Sequence, residues 1–170
     1  MDTFNHWIEK LGLQPHPEGG YYAESYRATE EYSGGGLPER YEGSRSFSTA
    51  IYFLLTAGNP SHFHRVASDE GWHFYDGSPL RLHILSPEGD YLEVKVGCEP
   101  EKNILPQYVV PAGYWFAAEM MEGGAYSLVG CTVAPGFDFQ DFELANEAEM
   151  LKQFPQHAQL LKTFCIAPNS

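Results

Sequence analysis

Ser61-His62-Phe63-His64-Arg65-Val66-Ala67-Ser68-Asp69-Glu70-Gly71-Trp72-His73-Phe74-Tyr75-Asp76-Gly77 is the stretch from which the rest of the chain is best read. In an extended strand successive side chains alternate faces, so His62 and His64 project together, two residues apart. Glu70 follows after a turn, and two imidazoles with one carboxylate are a donor set for a divalent ion. His73 has the opposite parity to Glu70, so a regular strand points it to the other face. A His-x-His pair is common, and strand histidines are more often hydrogen-bonded side chains than ligands. The spacing therefore marks His62, His64 and Glu70 as candidates, not as a site.

Both flanks of this stretch read as strands. On the N-terminal side, Phe47-Ser48-Thr49-Ala50-Ile51-Tyr52-Phe53-Leu54-Leu55 is rich in β-branched and aromatic residues, is stopped by Gly58-Asn59-Pro60, and is apolar enough to be buried on both faces. On the C-terminal side, Leu80, Leu82 and Ile84 alternate with Arg81 and His83. After the turn Ser86-Pro87-Glu88-Gly89-Asp90, Leu92, Val94 and Val96 alternate with Glu93 and Lys95, which predicts a hairpin. Further strands are predicted over 107–110, 114–118 and 125–134. Only the ends change period. Phe4, Trp7, Ile8 and Leu11 recur at helical spacing before Gly12, with Thr3 or Asp2 as cap, and a helix at the end or edge of the core is expected. Asn146 with Glu149 forms a capping pattern, and Pro155 opens a second C-terminal helix. Many short strands between turn signals, with short flanking helices, predict one all-β sandwich or barrel domain over residues 1–170.

Composition excludes several function classes. Asp plus Glu number 23 against 10 Lys plus Arg, a net charge of −13, and Arg27, Arg40, Arg45, Arg65 and Arg81 are scattered. Nucleic acid and anionic membrane are therefore not expected partners. No apolar run approaches the ~20 residues of a spanning helix. Cys98, Cys131 and Cys165 are an odd number without C-x-x-C spacing, and Met1 to His6 do not read as a secretory signal. A soluble cytoplasmic protein is expected.

The central stretch resembles the first motif of the cupins, G-(x)5-H-x-H-(x)3 or 4-E-(x)6-G, through His62, His64, Glu70 and Gly77. The interval from His64 to Glu70 is one residue longer than usual, and Gly58 lies two residues too close to His62. The second motif, G-(x)5-P-x-G-(x)2-H-(x)3-N, has its P-x-G at Pro111-Ala112-Gly113, with Phe116 in the histidine place and Met120 in the asparagine place. His16-Pro17-Glu18-Gly19-Gly20, the run 48–55 and Val133-Ala134-Pro135-Gly136-Phe137-Asp138-Phe139 look like a cupin family known chiefly as a domain of unknown function. The resemblance implies a double-stranded β-helix, or jelly-roll barrel, and commonly a homodimer. It also implies a metal centre reduced to His62, His64 and Glu70, for one divalent ion (Fe, Mn, Ni or Zn) or for none.

Some cupins, such as the epimerases of dTDP-linked 4-keto sugars, need no metal and set a histidine base against a tyrosine acid. In that reading His64 is the base, oriented by Asp69 or Glu70, and Tyr52, Tyr75 or Tyr126 is the acid. Candidate ligand contacts are Arg45, which suits an anion, with His62, His73, Tyr75, Phe116 and Tyr126. Three functions follow: an epimerase-like cupin binding a sugar or sugar nucleotide in the barrel mouth, a metal-dependent oxygenase or isomerase, or a non-catalytic small-molecule sensor. Ser48 and Thr49 lack a nucleophile-elbow pattern, and Gly34 to Gly36 are not a phosphate loop. Cys131 reads as a core residue that touches ligand only if it faces the cavity. Phe137, Phe139 and Phe142 read as core or dimer contacts.

Overall fold

A computed structural model describes residues 4–167; the Asp2 and Thr3 cap lies outside them. Helix α1 (Asn5–Leu11) leads into strands β1 (Gln14–Pro15), β2 (Tyr21–Arg27), β3 (Glu31–Tyr32), β4 (Arg45–Ser46), β5 (Thr49–Thr56), β6 (Ser61–Arg65) and β7 (Asp69–Gly77). Then come β8 (Leu80–Leu85), β9 (Tyr91–Val96), β10 (Gln107–Val110), β11 (Trp115–Met120), β12 (Tyr126–Ala134) and β13 (Glu143–Leu144), followed by helices α2 (Glu147–Gln153) and α3 (Ala158–Phe164).

Two antiparallel sheets face each other, in the orders β1-β2-β5-β12-β7-β10 and β13-β6-β11-β8-β9, with β3 and β4 forming a separate pair. This is the jelly-roll barrel the sequence predicts. The hairpin β8–β9 pairs Leu80 with Val96 through Leu85 with Tyr91. Its turn is held by the Ser86 hydroxyl, which accepts from the backbone N–H groups of Glu88 and Asp90.

Helices cover part of the outer face of each main sheet, which is why β5 and β11 read as nearly continuous apolar runs. In β5, Phe53 and Leu55 enter the space between the sheets, while Leu54 packs outward with Leu128 beneath Trp7, Ile8 and Leu11 of α1. That helix therefore lies on a sheet face, not at an end of the core. Helices α2 and α3 cover the outside of the other sheet, where Met150, Phe154, Leu161 and Phe164 meet Phe63, Leu85 and Trp115. The Asn146 side chain accepts from the Glu149 N–H and caps α2 as its spacing predicts.

Between the sheets, one end is packed solid by Leu55, Trp72, Leu80, Leu82, Val96, Val110 and Val129, each no more than 1% exposed. Burying a side chain of that size contributes about 1.5–3 kcal/mol. The other end holds polar side chains and stays open. The barrel is thus half core and half cavity.

Candidate functional site

The cavity encloses about 580 Å³. His64 from β6, Glu70 from β7 and Cys131 from β12 face into it, joined by His16 and Glu18 from the loop before β2. Tyr22, Phe137, Phe139 and Phe142 also line it, with Arg27 and Glu24 among its more exposed lining residues.

The His16-Pro17-Glu18-Gly19-Gly20 turn carries two of these groups inward. It closes on itself through Gly19 N–H to His16 O and His16 N–H to Gly20 O, both 3.0 Å. Gly19 has φ +109°, and a Cβ there would collide with the Pro60 carbonyl, so the turn lies against the start of β6 only because residue 19 is glycine. Laid across the strand, the turn brings the Glu18 carbonyl to His62, which donates to it from its backbone N–H and from ring Nδ1, each at 2.7 Å. The Glu18 carboxyl reaches further in. Oε1 accepts from the Ser61 hydroxyl at 2.8 Å, and Oε2 lies 3.2 Å from His64 Nε2 and 3.4 Å from His16 Nδ1.

The hydrogen bonds fix where the protons sit. His64 Nδ1 is 2.8 Å from the His62 carbonyl, which can only accept, so Nδ1 carries the hydrogen. Burial pushes His64 down to about 3, aided by nearby His16 and opposed by the bond to the His62 carbonyl, so the ring is neutral and Nε2 is a bare lone pair. Burial, reinforced by the neighbouring Glu70 carboxyl and opposed by the Ser61 hydrogen bond, raises Glu18 well above the usual carboxylate range. The Glu18 carboxyl thus faces the bare Nε2 of His64 at 3.2 Å. His16, whose Nδ1 accepts from the Glu18 backbone N–H at 3.2 Å, is lowered by burial to about 4 and is neutral as well.

Glu70 is the second proton-holding group. Burial raises it to about 7, against a smaller downward pull from the Cys131 thiol and the Trp72 indole. The fully buried Trp72 N–H completes no hydrogen bond within the chain. Burial and the two carboxyls push the Cys131 thiol up, so it is uncharged. The cavity therefore presents one acid–base pair, Glu18 with His64, and one carboxyl that changes charge near neutrality.

A cupin metal does not fit these residues. His62 is turned to the Glu18 carbonyl and does not line the cavity. His64 gives Nδ1 to the backbone and faces the Glu18 carboxyl with Nε2. In the histidine place of the second motif, the buried Phe116 ring packs 4.1 Å from the His64 ring. Among the described residues no three His, Cys, Asp or Glu side chains are grouped to hold a metal ion. The expected triad His62, His64 and Glu70 fails because the glutamate that approaches His64 comes from the loop at residue 18, not from β7.

The structure brings together His64 and Glu70 among the sequence candidates and places the rest elsewhere. Tyr52, Tyr75 and His73 lie on the outer face of their sheet. The Tyr75 hydroxyl covers Gly130, Tyr52 packs in the cluster under α1, and His73 Nε2 is 2.8 Å from the Thr132 hydroxyl. Tyr126 donates to Asp76 at 2.7 Å beside the Trp7 indole, which donates to the same oxygen. No tyrosine among the three expected acids lines the cavity. Arg45 is buried and paired with Asp141 through two 2.7 Å bonds, with Nη1 held by the Glu42 and Ser44 carbonyls, so it is not free to bind an anion. Asp69, the alternative partner for His64, accepts instead from the Ala112 N–H.

Glu18 and His16 were visible only as part of a turn motif. Their signal was two ionisable residues in a glycine turn rigid enough to be aimed. Cys131 faces the cavity, and Phe137 and Phe142, which pack against the core as expected, line it together with Phe139.

Fold and cavity together define a barrel of the cupin class. The chain belongs to the family described as Cupin superfamily (DUF985), which matches residues 5–145. It is 30% identical over 154 residues to an uncharacterised protein of Saccharomyces cerevisiae, covering 85% of this chain and 76% of that one. Among solved structures, it is similar to a protein of Shewanella oneidensis, with a TM-score of 0.87 and 36% identity over 99% of each chain. It is also similar to a hypothetical protein of Leishmania major, with a TM-score of 0.85 and 38% identity over 95% of this chain and 97% of that one.

Proposed function

We propose that this cupin binds a small polar molecule in the open half of the barrel and moves protons on it without a metal, in the manner of an isomerase or epimerase. The observation that carries this reading is the Glu18–His64 pair at 3.2 Å, with Glu70 lining the same cavity. A neutral His64 Nε2 is a base, Glu18 an acid, and Glu70 serves as either near pH 7.

The step this arrangement suits is enolisation beside a carbonyl. His64 Nε2 takes the proton from the carbon, the C–H electron pair becomes the C=C bond, and the carbonyl oxygen receives a proton from Glu18. Return of a proton to either face of the same carbon, with loss of the enol proton to Glu18, restores the carbonyl in the original or inverted configuration. No oxidant or metal enters the balance.

The test is proton exchange with solvent. Small hydroxy ketones and keto sugars are incubated with the protein in D₂O and read by proton NMR. Deuterium is expected at the carbon beside the carbonyl, lost in His64→Ala and in Glu18→Gln and unchanged by EDTA. Exchange that stops with EDTA and returns with one divalent metal would contradict the reading, and ligand-dependent stabilisation without exchange would make the cavity a sensor.

A further inference from the structure

Four carboxyl groups line the cavity, Glu18, Glu24, Glu70 and Asp138, against one basic side chain, Arg27. Arg27 is occupied: Nε and Nη2 donate to the two oxygens of Glu24 at 3.0 and 2.7 Å, and Nη2 also donates to the Phe137 carbonyl at 3.1 Å. An anionic ligand, including the phosphates of a sugar nucleotide, meets no unpaired cationic side chain here. Arg45, the other cation near this end, is committed to Asp141.

The apolar lining points the same way. Tyr22, Phe53, Phe137, Phe139 and Phe142 share the cavity with those carboxyls, and Phe139 stands edge-on to Phe137 and Phe142 at 5.0 and 5.8 Å. Aromatic faces beside carboxylates are the chemistry that recognises ammonium groups. Glu70 is only 7% exposed and no cationic side chain faces it. Its neighbours are the Glu18 carboxyl, the Cys131 thiol and the Trp72 indole. A buried carboxyl without a countercharge is costly unless a ligand supplies one.

We propose that the cavity takes a small organic cation, with its ammonium group at Glu70 beside Glu18 and its body against the aromatic rings. This rests on the proposed function and names the charge of its ligand. The cation enters with Glu70 as its countercharge, so binding strengthens as pH rises through neutrality. His64, His16, Glu18, Cys131, Tyr22, Glu24, Asp138 and Arg27 also line this space; burial holds His64 and His16 neutral over that interval and raises Glu18 and Cys131.

Cys131 is a built-in reporter, because its thiol lines the cavity while Cys98 is exposed. The unaltered chain is treated with a cationic methanethiosulfonate (2-trimethylammonioethyl) or an anionic one (2-sulfonatoethyl). Modification at each cysteine is followed by peptide mass spectrometry, with rates normalised to those of 2-mercaptoethanol. At pH 8 the cation is expected to react at Cys131 about tenfold or more faster than the anion, as focused clefts discriminate charge. The preference should shrink at pH 6 and in Glu70→Gln. Should that variant fail to fold, the pH comparison on the native chain carries the same test.

A cation-to-anion ratio at Cys131 near one, or one favouring the anion, overturns the ligand class and leaves the proton-transfer reading to its own assay. Reaction of the neutral methyl methanethiosulfonate at Cys131 without reaction of the cationic reagent overturns the ligand class as well.

Discussion

Replacing Glu70 by glutamine should change how stability depends on pH, by an amount the burial of Glu70 sets. The folded chain holds this carboxyl at about 7, against 4.5 for an unperturbed glutamate. At about 1.4 kcal/mol per pH unit, that difference is worth about 3 kcal/mol. Below pH 4.5 both folded and unfolded chains carry the proton, and Glu70 has no effect. Between 4.5 and 7 the unfolded chain releases the proton while the folded chain keeps it, so folding is progressively penalised, and above 7 the full cost is present. Glutamine cannot ionise and escapes the penalty. The lowered His16 and His64 work in the opposite direction, destabilising the fold as pH falls below 6.5, but they do so in both proteins and cancel in the comparison. Urea unfolding of the two proteins from pH 4.5 to pH 8 should show the variant gaining about 3 kcal/mol relative to the parent, with the change concentrated between 4.5 and 7. A constant offset across that range would refute the claim that Glu70 is held uncharged by burial.

Three other substitutions test the architecture around the cavity. Gly19→Ala places a Cβ against the Pro60 carbonyl at φ +109° and should cost at least about 1–3 kcal/mol by thermal or urea unfolding; a melting temperature within one degree of the parent would contradict the close approach of turn and strand. Arg45→Ala leaves the buried Asp141 carboxylate uncompensated and should cost about 3–5 kcal/mol, so a loss under 1 kcal/mol by chemical denaturation would show that the pair is not structural. Phe116→His restores the second-motif histidine, yet isothermal titration with Zn(II) should show no stoichiometric site near His64, since His62 is diverted to the Glu18 carbonyl; micromolar binding at one equivalent would contradict that account.

The fold was legible because each strand is covered on both faces or alternates cleanly. The hairpin at Ser86 to Asp90 and the strand over 107–110 appear where their turn residues and apolar spacing place them. The site was legible in half. Parity correctly pairs His62 with His64 on one strand, but it cannot register that a distant glycine turn draws one of them away. Glu18 meets His64 across 46 residues of sequence, and no local periodicity encodes such a contact. Tyrosine placement failed for a related reason: Tyr52 and Tyr75 sit on strands with aromatic residues on both faces, where composition does not say which face is inside.

The central claim is that His64 is a neutral, metal-free base whose Nε2 faces the Glu18 carboxyl. The most direct measurement is the ¹⁵N NMR spectrum of the His64 imidazole from pH 5 to pH 8. The account predicts a neutral ring throughout, with hydrogen on Nδ1 and an unprotonated Nε2. An imidazolium in that range, hydrogen on Nε2, or an Nε2 signal displaced by one equivalent of Zn(II) would contradict it.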